Sequence, residues 1–316
     1  MTAYIFIGVL ILLLLIYLII AWSYFKLAVK RPFVEDMCTK EGIAKLKLTD
    51  HEEVLLAGRK QLDTTEYEKA EIKSFDGLTL RGRFYTFTGA KATVIFFHGY
   101  RSSPLIEFTA SFNFYKNNNM NVLLVHQRAH GESDGEYVTY GVKERKDVFS
   151  WIDFVKDRLG EDAPILLSGV SMGSATILMG AGLGYPKNVI GLIADCGFTS
   201  PYEIIKHVVK THIKIPFRPL IYTVNFLCNK LAGFDLREYS TVEGIKNCDI
   251  PILFVHGNAD DFVPPSMTKA NFDAYQGPKQ LLLVDGAGHG YSYLINKMEY
   301  QKKIEEFILK TLDENA

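Results

Sequence analysis

The sequence predicts an α/β fold, a mainly parallel central sheet with helices on both faces, reached through an apolar N-terminal helix. Three observations carry this. Short apolar runs alternate with helix-patterned segments from about residue 66 onward. Several runs ("ATVIFFHG", "NVLLVHQ", "IPILFVHG") are apolar on both faces, as strands inside a parallel sheet are. One of them, "PILLSGVS", passes through Gly169-Val-Ser-Met-Gly173 into a helix of small residues, "GSATILMGAGLGY".

The elements follow in order. "MTAYIFIGVLILLLLIYLIIAWSYF" carries no charged side chain, and the first charge is Lys26. An apolar helix of roughly 20 residues crosses a bilayer core of about 30 Å. Tyr17, Trp22, Tyr24 and Phe25 supply interfacial aromatics. A charged n-region and a small-x-small cleavage site, the marks of a signal peptide, are missing. Residues 1–25 therefore read as a single-pass anchor in the cell membrane. Lys26, Lys30 and Arg31 follow it, and the positive-inside rule places the next domain in the cytoplasm. Residues 26–65 read as a charged helical stalk, and 66–316 as one α/β domain.

Within that domain, "EIKSFDGLTLRGRFYTF" predicts two strands with a turn at Asp76-Gly77. "GVKERKDVFSWIDFVKDRLG" has helical apolar spacing and stops at Gly160. "VIGLIADCGF" and "QLLLVDG" are further strands; "SMTKANFDAYQ" and "YLINKMEYQKKIEEFILKTL" are helices. About residues 200–247 contain no strand pattern, only helical stretches joined at Pro216 and Pro219. Lying between two sheet strands, they predict a lid over the strand ends. Its apolar residues (Tyr202, Phe217, Ile221, Tyr222, Phe226, Leu227) suit an apolar acyl chain.

Composition narrows the function. A formal net charge of -1, with no basic block, argues against a nucleic-acid partner. Cys38, Cys196, Cys228 and Cys248 have neither metal-site spacing nor a dense disulfide pattern, and read as free thiols.

Functional residues of a parallel sheet sit at the C-terminal strand ends. Ser171 occupies a strand–turn–helix that exposes a hydroxyl and aims a helix N-terminus at a reacting oxygen. A serine hydroxyl needs a base, and the base needs an orienting acid. His289, in "VDGAGHG", and Asp260, in "HGNADDFVPP", follow in the order Ser, Asp, His, each just past a strand end. Asp261 and Asp195 are the rival acids. Among the rival bases, His98 and His256 precede glycines at strand ends and read as scaffolds. His130 reads as structural, and His51 lies in the stalk. His207 and His212 stand five apart, a poor spacing for a helical zinc pair. The oxyanion donors expected are the backbone N–H groups of Met172 and Tyr100.

These residues and motifs ("HGY", "QRAHGESDG", "GVSMG", "HGNADDFVP", "GAGHG") resemble the α/β-hydrolase superfamily, above all the serine aminopeptidase-like (S33) and BEM46-like proteins. The resemblance runs from about Glu71 to the C-terminus. It implies an α/β-hydrolase fold with a helical lid. It implies hydrolysis of an ester, thioester or amide through an acyl-enzyme on Ser171, without cofactor or metal. The substrate class it suggests is a small-molecule or lipid-like acyl compound, with carboxylesterase or lipase chemistry foremost. An acyltransferase, a peptidase and a non-catalytic membrane scaffold are the alternatives. One departure stands out: where relatives often carry Asp-x-Arg-Gly-His-Gly, this chain has His126-Gln-Arg-Ala-His-Gly131.

Overall fold

The computed structural model describes residues 1–213 and 218–315; the lid residues Pro216 and Phe217 lie outside them. Eight strands form one sheet: β1 (Glu68–Lys73), β2 (Thr79–Tyr85), β3 (Ala92–Phe97), β4 (Met120–Val125), β5 (Ile165–Val170), β6 (Val189–Asp195), β7 (Ile252–Gly257) and β8 (Lys279–Val284). Their order is β1-β2-β4-β3-β5-β6-β7-β8. β2 runs antiparallel to β1 and β4, and every other pair is parallel. This is the α/β-hydrolase fold that the motifs imply.

The central strands are buried throughout, which explains their unbroken apolar runs. Alternate residues of β3 serve opposite layers. Ile95 and Phe97 pack with Trp151 and Val155 of the helix Glu144–Leu159. Val94 and Phe96 pack with Phe108 and Tyr115 on one side of the layer and share a core with Ile304 and Phe307 of the C-terminal helix. Fully burying a phenylalanine stabilises the fold by about 2–3 kcal/mol, so the two layers hold the sheet between them. Register then aligns the strand ends: Phe97 lies beside Gly169, Val170 beside Asp195, and Gly257 beside Val284.

The N-terminal helix is Thr2–Val29, long and apolar enough to cross a membrane. Its first turns stand free. From Tyr17 on, one stripe packs against the domain: Ala21, Phe25 and Val29 are buried at fourfold spacing. The Tyr17 hydroxyl bonds that of Thr223 at 2.6 Å, on the lid helix Leu220–Leu227. The chain beyond is pinned as well. Arg31 donates to the carbonyls of Ser133 and Gly131 at 2.7 and 2.6 Å. The helices Lys40–Lys45 and Glu52–Thr64 follow and pack onto the domain through Ile43, Leu55 and Leu62.

The C-terminal segment differs from a single helix. It is a short helix, Ser292–Ile295, then Lys297–Asp313, broken at Asn296 (φ -133°, ψ 69°). The Asn296 side chain accepts from the Glu299 amide at 3.3 Å and donates to its carboxylate at 2.6 Å. This reciprocal cap was readable in "NKME", an N-cap residue followed three later by Glu. Asn296→Ala is expected to cost about 1 kcal/mol, lowering the thermal midpoint by roughly 2–4 °C in a calorimetric scan.

Candidate active site

Ser171 sits between β5 and the helix Met172–Ala181 with φ 53° and ψ -112°, a conformation that L-residues avoid. Such strain costs of order 1–3 kcal/mol and persists only where its surroundings over-determine it. The flanking glycines do so by size. A Cβ on Gly173 would stand 1.8 Å from the Phe97 carbonyl oxygen, and one on Gly169 would stand 2.3 Å from the Gly173 carbonyl carbon. The turn can therefore press against the end of β3, and Ser171 is lifted over the strand ends.

The three residues that the order Ser, Asp, His singled out are joined. The Ser171 hydroxyl donates to His289 Nε2 at 2.9 Å, and His289 Nδ1–H donates to Asp260 Oδ2 at 2.7 Å. Asp260 is saturated with donors. Its Oδ1 accepts the Phe262 and Val263 amides at 3.0 and 2.9 Å, and its Oδ2 also faces His256 Nε2 at 3.1 Å. Burial alone would raise this carboxyl; the His256, His289 and Val263 hydrogen bonds outweigh burial and hold it well below the usual carboxylate range. It remains an anion, fit to fix the His289 tautomer. The rival acids are engaged elsewhere. Asp195 accepts from Ser292 and Tyr300 at 3.3 and 3.2 Å, and its backbone carbonyl takes the Ser171 amide. The Asp261 carbonyl faces the ring nitrogens of His207 and His212 at 3.4 and 3.1 Å, tying the lid to the acid loop.

The loop after β3 presents one amide. The Gly99 N–H donates to the Glu107 carboxylate at 2.8 Å, and the Arg101 N–H donates to His130 Nε2 at 3.1 Å. Tyr100 lies between them, and its N–H meets no acceptor among the described residues; nor does that of Met172, at the start of its helix. The backbone thus offers two donors without a partner among the described residues, one on each side of Ser171. His98 braces this loop rather than entering it. Its Nδ1–H donates to the Gly99 carbonyl at 2.8 Å, and its Nε2 accepts the Gln127 amide at 3.1 Å. Burial holds the ring neutral, well below its ordinary value. The departure at His126–Gly131 leaves a mark: Ala129 adopts φ 59°, where glycine would be unstrained. The His126 ring fills the space beside Gly131, 2.2 Å from where a Cβ would stand.

Above Ser171 lies a cavity of about 230 Å³ with almost wholly apolar walls. Phe198 and Phe262 form part of its floor, and Ile204, Val208, Ile221 and Val224 come from the lid. Of the lid residues singled out in the sequence, Ile221 faces the cavity, whereas Tyr222 and Phe226 are exposed on the outside. Tyr24, Leu27 and Ala28 of the N-terminal helix form another part of the wall. The Tyr100 hydroxyl reaches the same helix, donating to the carbonyls of Leu27 and Ala28 at 3.0 and 2.9 Å; Tyr140 joins it on Ala28 at 2.7 Å. These are end-of-helix carbonyls with no partner in their own helix. Sequence reasoning treated this helix as separate from the site, because periodicity does not show which later loop meets a helix end.

Cys196, Asp260 and His289 bring ligand atoms within 4.8 Å of one another. Both His289 nitrogens are already engaged, and burial first, then nearby Asp195 and Asp260, push the Cys196 thiol well up. A protonated thiol beside a committed imidazole does not make a cation site.

Sequence reasoning also missed Glu107, a lone acid in the apolar run "PLIEF". Burial raises it to about 7 against the lowering by the Gly99 and Ser102 hydrogen bonds. The folded state therefore holds a proton that the unfolded chain has released once pH passes about 4.5. The resulting stability is complete below that value and is lost as pH rises through about 7, on the order of 3 kcal/mol in all. Glu107→Gln retains an acceptor for Gly99 without the charge. It is expected to shrink the fall in thermal midpoint between about pH 5 and about pH 8, measured by circular dichroism.

Residues 88–220 match the family described as serine aminopeptidase, S33. YqkD of Bacillus subtilis is 27% identical over 289 residues, which cover 92% of this chain and 91% of that one. Bem46 of Schizosaccharomyces pombe is 24% identical over 204 residues, 63% of this chain and 62% of that one. Among solved structures, the Pyrococcus furiosus esterase Pf2001 superposes with a TM-score of 0.65 at 24% identity, covering 79% of this chain and 93% of that one. Est1E from Butyrivibrio proteoclasticus superposes at 0.61 with 17% identity, covering 77% and 100%. At these identities the structural likenesses speak to the fold alone. With the strand order, the turn at Ser171 and the match over residues 88–220 agreeing, the chain has the α/β-hydrolase fold and is similar to serine aminopeptidase S33 and bem46 proteins.

Proposed function

We propose that this protein is a serine hydrolase of carboxylic esters, held to a membrane by the helix Thr2–Val29. The observation that carries the reading is the continuous hydrogen-bond chain Ser171–His289–Asp260, opening into an apolar cavity beside two free amides. A likeness in fold to esterases supports it without deciding it.

In the proposed reaction the Ser171 oxygen attacks the ester carbonyl carbon while His289 Nε2 takes the hydroxyl proton. The carbonyl π-electrons move onto oxygen, where the Tyr100 and Met172 N–H groups receive them. Each such donor contributes roughly 3–4 kcal/mol when preorganised. The tetrahedral species collapses, the acyl–oxygen bond breaks, and His289 returns its proton to the leaving alcohol. Water then repeats the sequence on the acyl-enzyme: His289 takes a proton from it, and the released acid carries its oxygen. Asp260 keeps its charge throughout and stabilises the imidazolium.

Retention of the N-terminal helix is supported by its docking. Cleavage after it would remove a cavity wall and the acceptors of the Tyr100 and Tyr140 hydroxyls. The cytoplasmic placement of the catalytic domain rests on Lys26, Lys30 and Arg31.

The test is activity-based labelling. A fluorophosphonate probe is expected to modify Ser171 in the full-length protein, as read by peptide mass spectrometry. Ser171→Ala is expected to lower hydrolysis of p-nitrophenyl butyrate by roughly 10⁴-fold or more, and His289→Ala comparably. Undiminished turnover by Ser171→Ala would overturn the reading. Tyr100→Phe retains the backbone N–H but frees the loop from the helix end. It is expected to lower kcat about tenfold with KM little changed, as a donor displaced by a fraction of an ångström would.

A further inference from the structure

We propose that the substrate is a membrane glycerophospholipid, one ester-linked acyl chain of which enters the cavity from the bilayer between the N-terminal helix and the lid. The proposal rests on the esterase reading above and gives it a substrate class.

The first support is depth. The stretch Tyr17–Phe25 is docked on one face and carries no charge. On its other face Leu18, Ile19, Ile20 and Trp22 stand open to the surroundings. Half of this stretch is thus protein-facing and half lipid-facing, over about 12 Å of helix. The lid helix Leu220–Leu227 runs against it, tied by the Tyr17–Thr223 bond, and so shares its depth.

The outer surface of the lid suits that position. Tyr222, Phe226 and Leu231 are 49%, 58% and 44% exposed, large side chains on the lid segments that pack against the N-terminal helix. In water such a grouping is unfavourable; in the hydrocarbon edge of a leaflet it is not. Cations border it. Lys230 lies over the Phe226 ring at 6.0 Å, and Arg237 over Tyr222 at 5.4 Å, with alkyl stems that let their charges reach lipid phosphates.

The third support is the opening. Leu27 lines the cavity yet is 53% exposed, so the cavity reaches the outside along the helix itself, one residue past Lys26. An acyl chain sliding past Leu27 passes from lipid to the Ser171 hydroxyl without crossing water. A volume of about 230 Å³ is half again that of an apolar cavity that holds benzene, and so takes roughly nine carbons. The rest of a longer chain stays in the bilayer. Arg101 is the charged side chain among the described lining residues, exposed at the wall, where a guanidinium meets a lipid phosphate. Hydrolysis breaks the acyl–oxygen bond. Water supplies hydroxyl to the fatty acid and hydrogen to the lysolipid alcohol.

The experiment uses full-length protein reconstituted into phosphatidylglycerol–phosphatidylethanolamine vesicles carrying a radiolabelled acyl chain. p-Nitrophenyl butyrate turnover is measured on the same samples. Release of labelled fatty acid is expected. Phe226→Glu and Leu231→Glu, outside the cavity, are expected to lower that release about tenfold while changing butyrate turnover less than about twofold. Butyrate turnover and Ser171 labelling without fatty-acid release would overturn the lipid proposal and leave the esterase reading standing. Release unaffected by both lid variants would overturn the route of entry. Absence of butyrate turnover together with absence of Ser171 labelling would overturn the esterase reading itself.

Discussion

Gly173 lies so close to the end of β3 that a methyl group would have to occupy the Phe97 carbonyl. Most of the site depends on this contact. It seats the helix Met172–Ala181 against the sheet, and so directs its free N-terminal amides toward the loop after β3. It also holds Ser171 in its strained conformation, because the chain must rise from β5 and descend into the helix within one residue. Gly99 completes the approach on the opposite side: a Cβ there would stand 3.3 Å from that of Ser171. Gly169, Gly173 and Gly99, without side chains, thus bring a strand end, a helix start and a loop together at Ser171.

Around that point, the polar groups are arranged by subtraction. Glu107 takes the amide before Tyr100 and His130 takes the amide after it, which leaves the Tyr100 amide between them without a partner among the described residues. Asp260 receives four hydrogen-bond donors, so its charge survives burial and orients His289. Buried histidines do the bracing. His98 links β3 to the start of the loop after β4, and His256 sits beneath the acid. Each is committed to this bracing, because both of its ring nitrogens are occupied.

The N-terminal helix is bonded into this arrangement. Its last turn ends against Tyr100 and Tyr140, and its side chains line the cavity. A helix apolar and long enough to cross a membrane and a loop of the site therefore share hydrogen bonds, and a shift in one is felt in the other. The lid completes the connection, touching the helix at Tyr17 and the acid loop through His207 and His212.

Much of this was legible in the sequence. Alternating apolar runs and helical patterns determined the sheet, since a strand buried on both faces has no polar side to show. Ser171, Asp260 and His289 could be singled out because each lies just past a strand end, and chain order limited the pairings. The small residues of "GVSMG" marked a close approach before any contact was known. Only the tertiary structure decided the rest. Glu107, His130 and the end of the N-terminal helix act on Tyr100 across 7 to 73 residues of chain, and local periodicity carries no record of such partners. The outward placement of Tyr222 and Phe226 is of the same kind: an apolar residue on a lid helix reads alike whether it faces a cavity or the outside. What surrounds a side chain is set by which elements meet, and that is a property of packing.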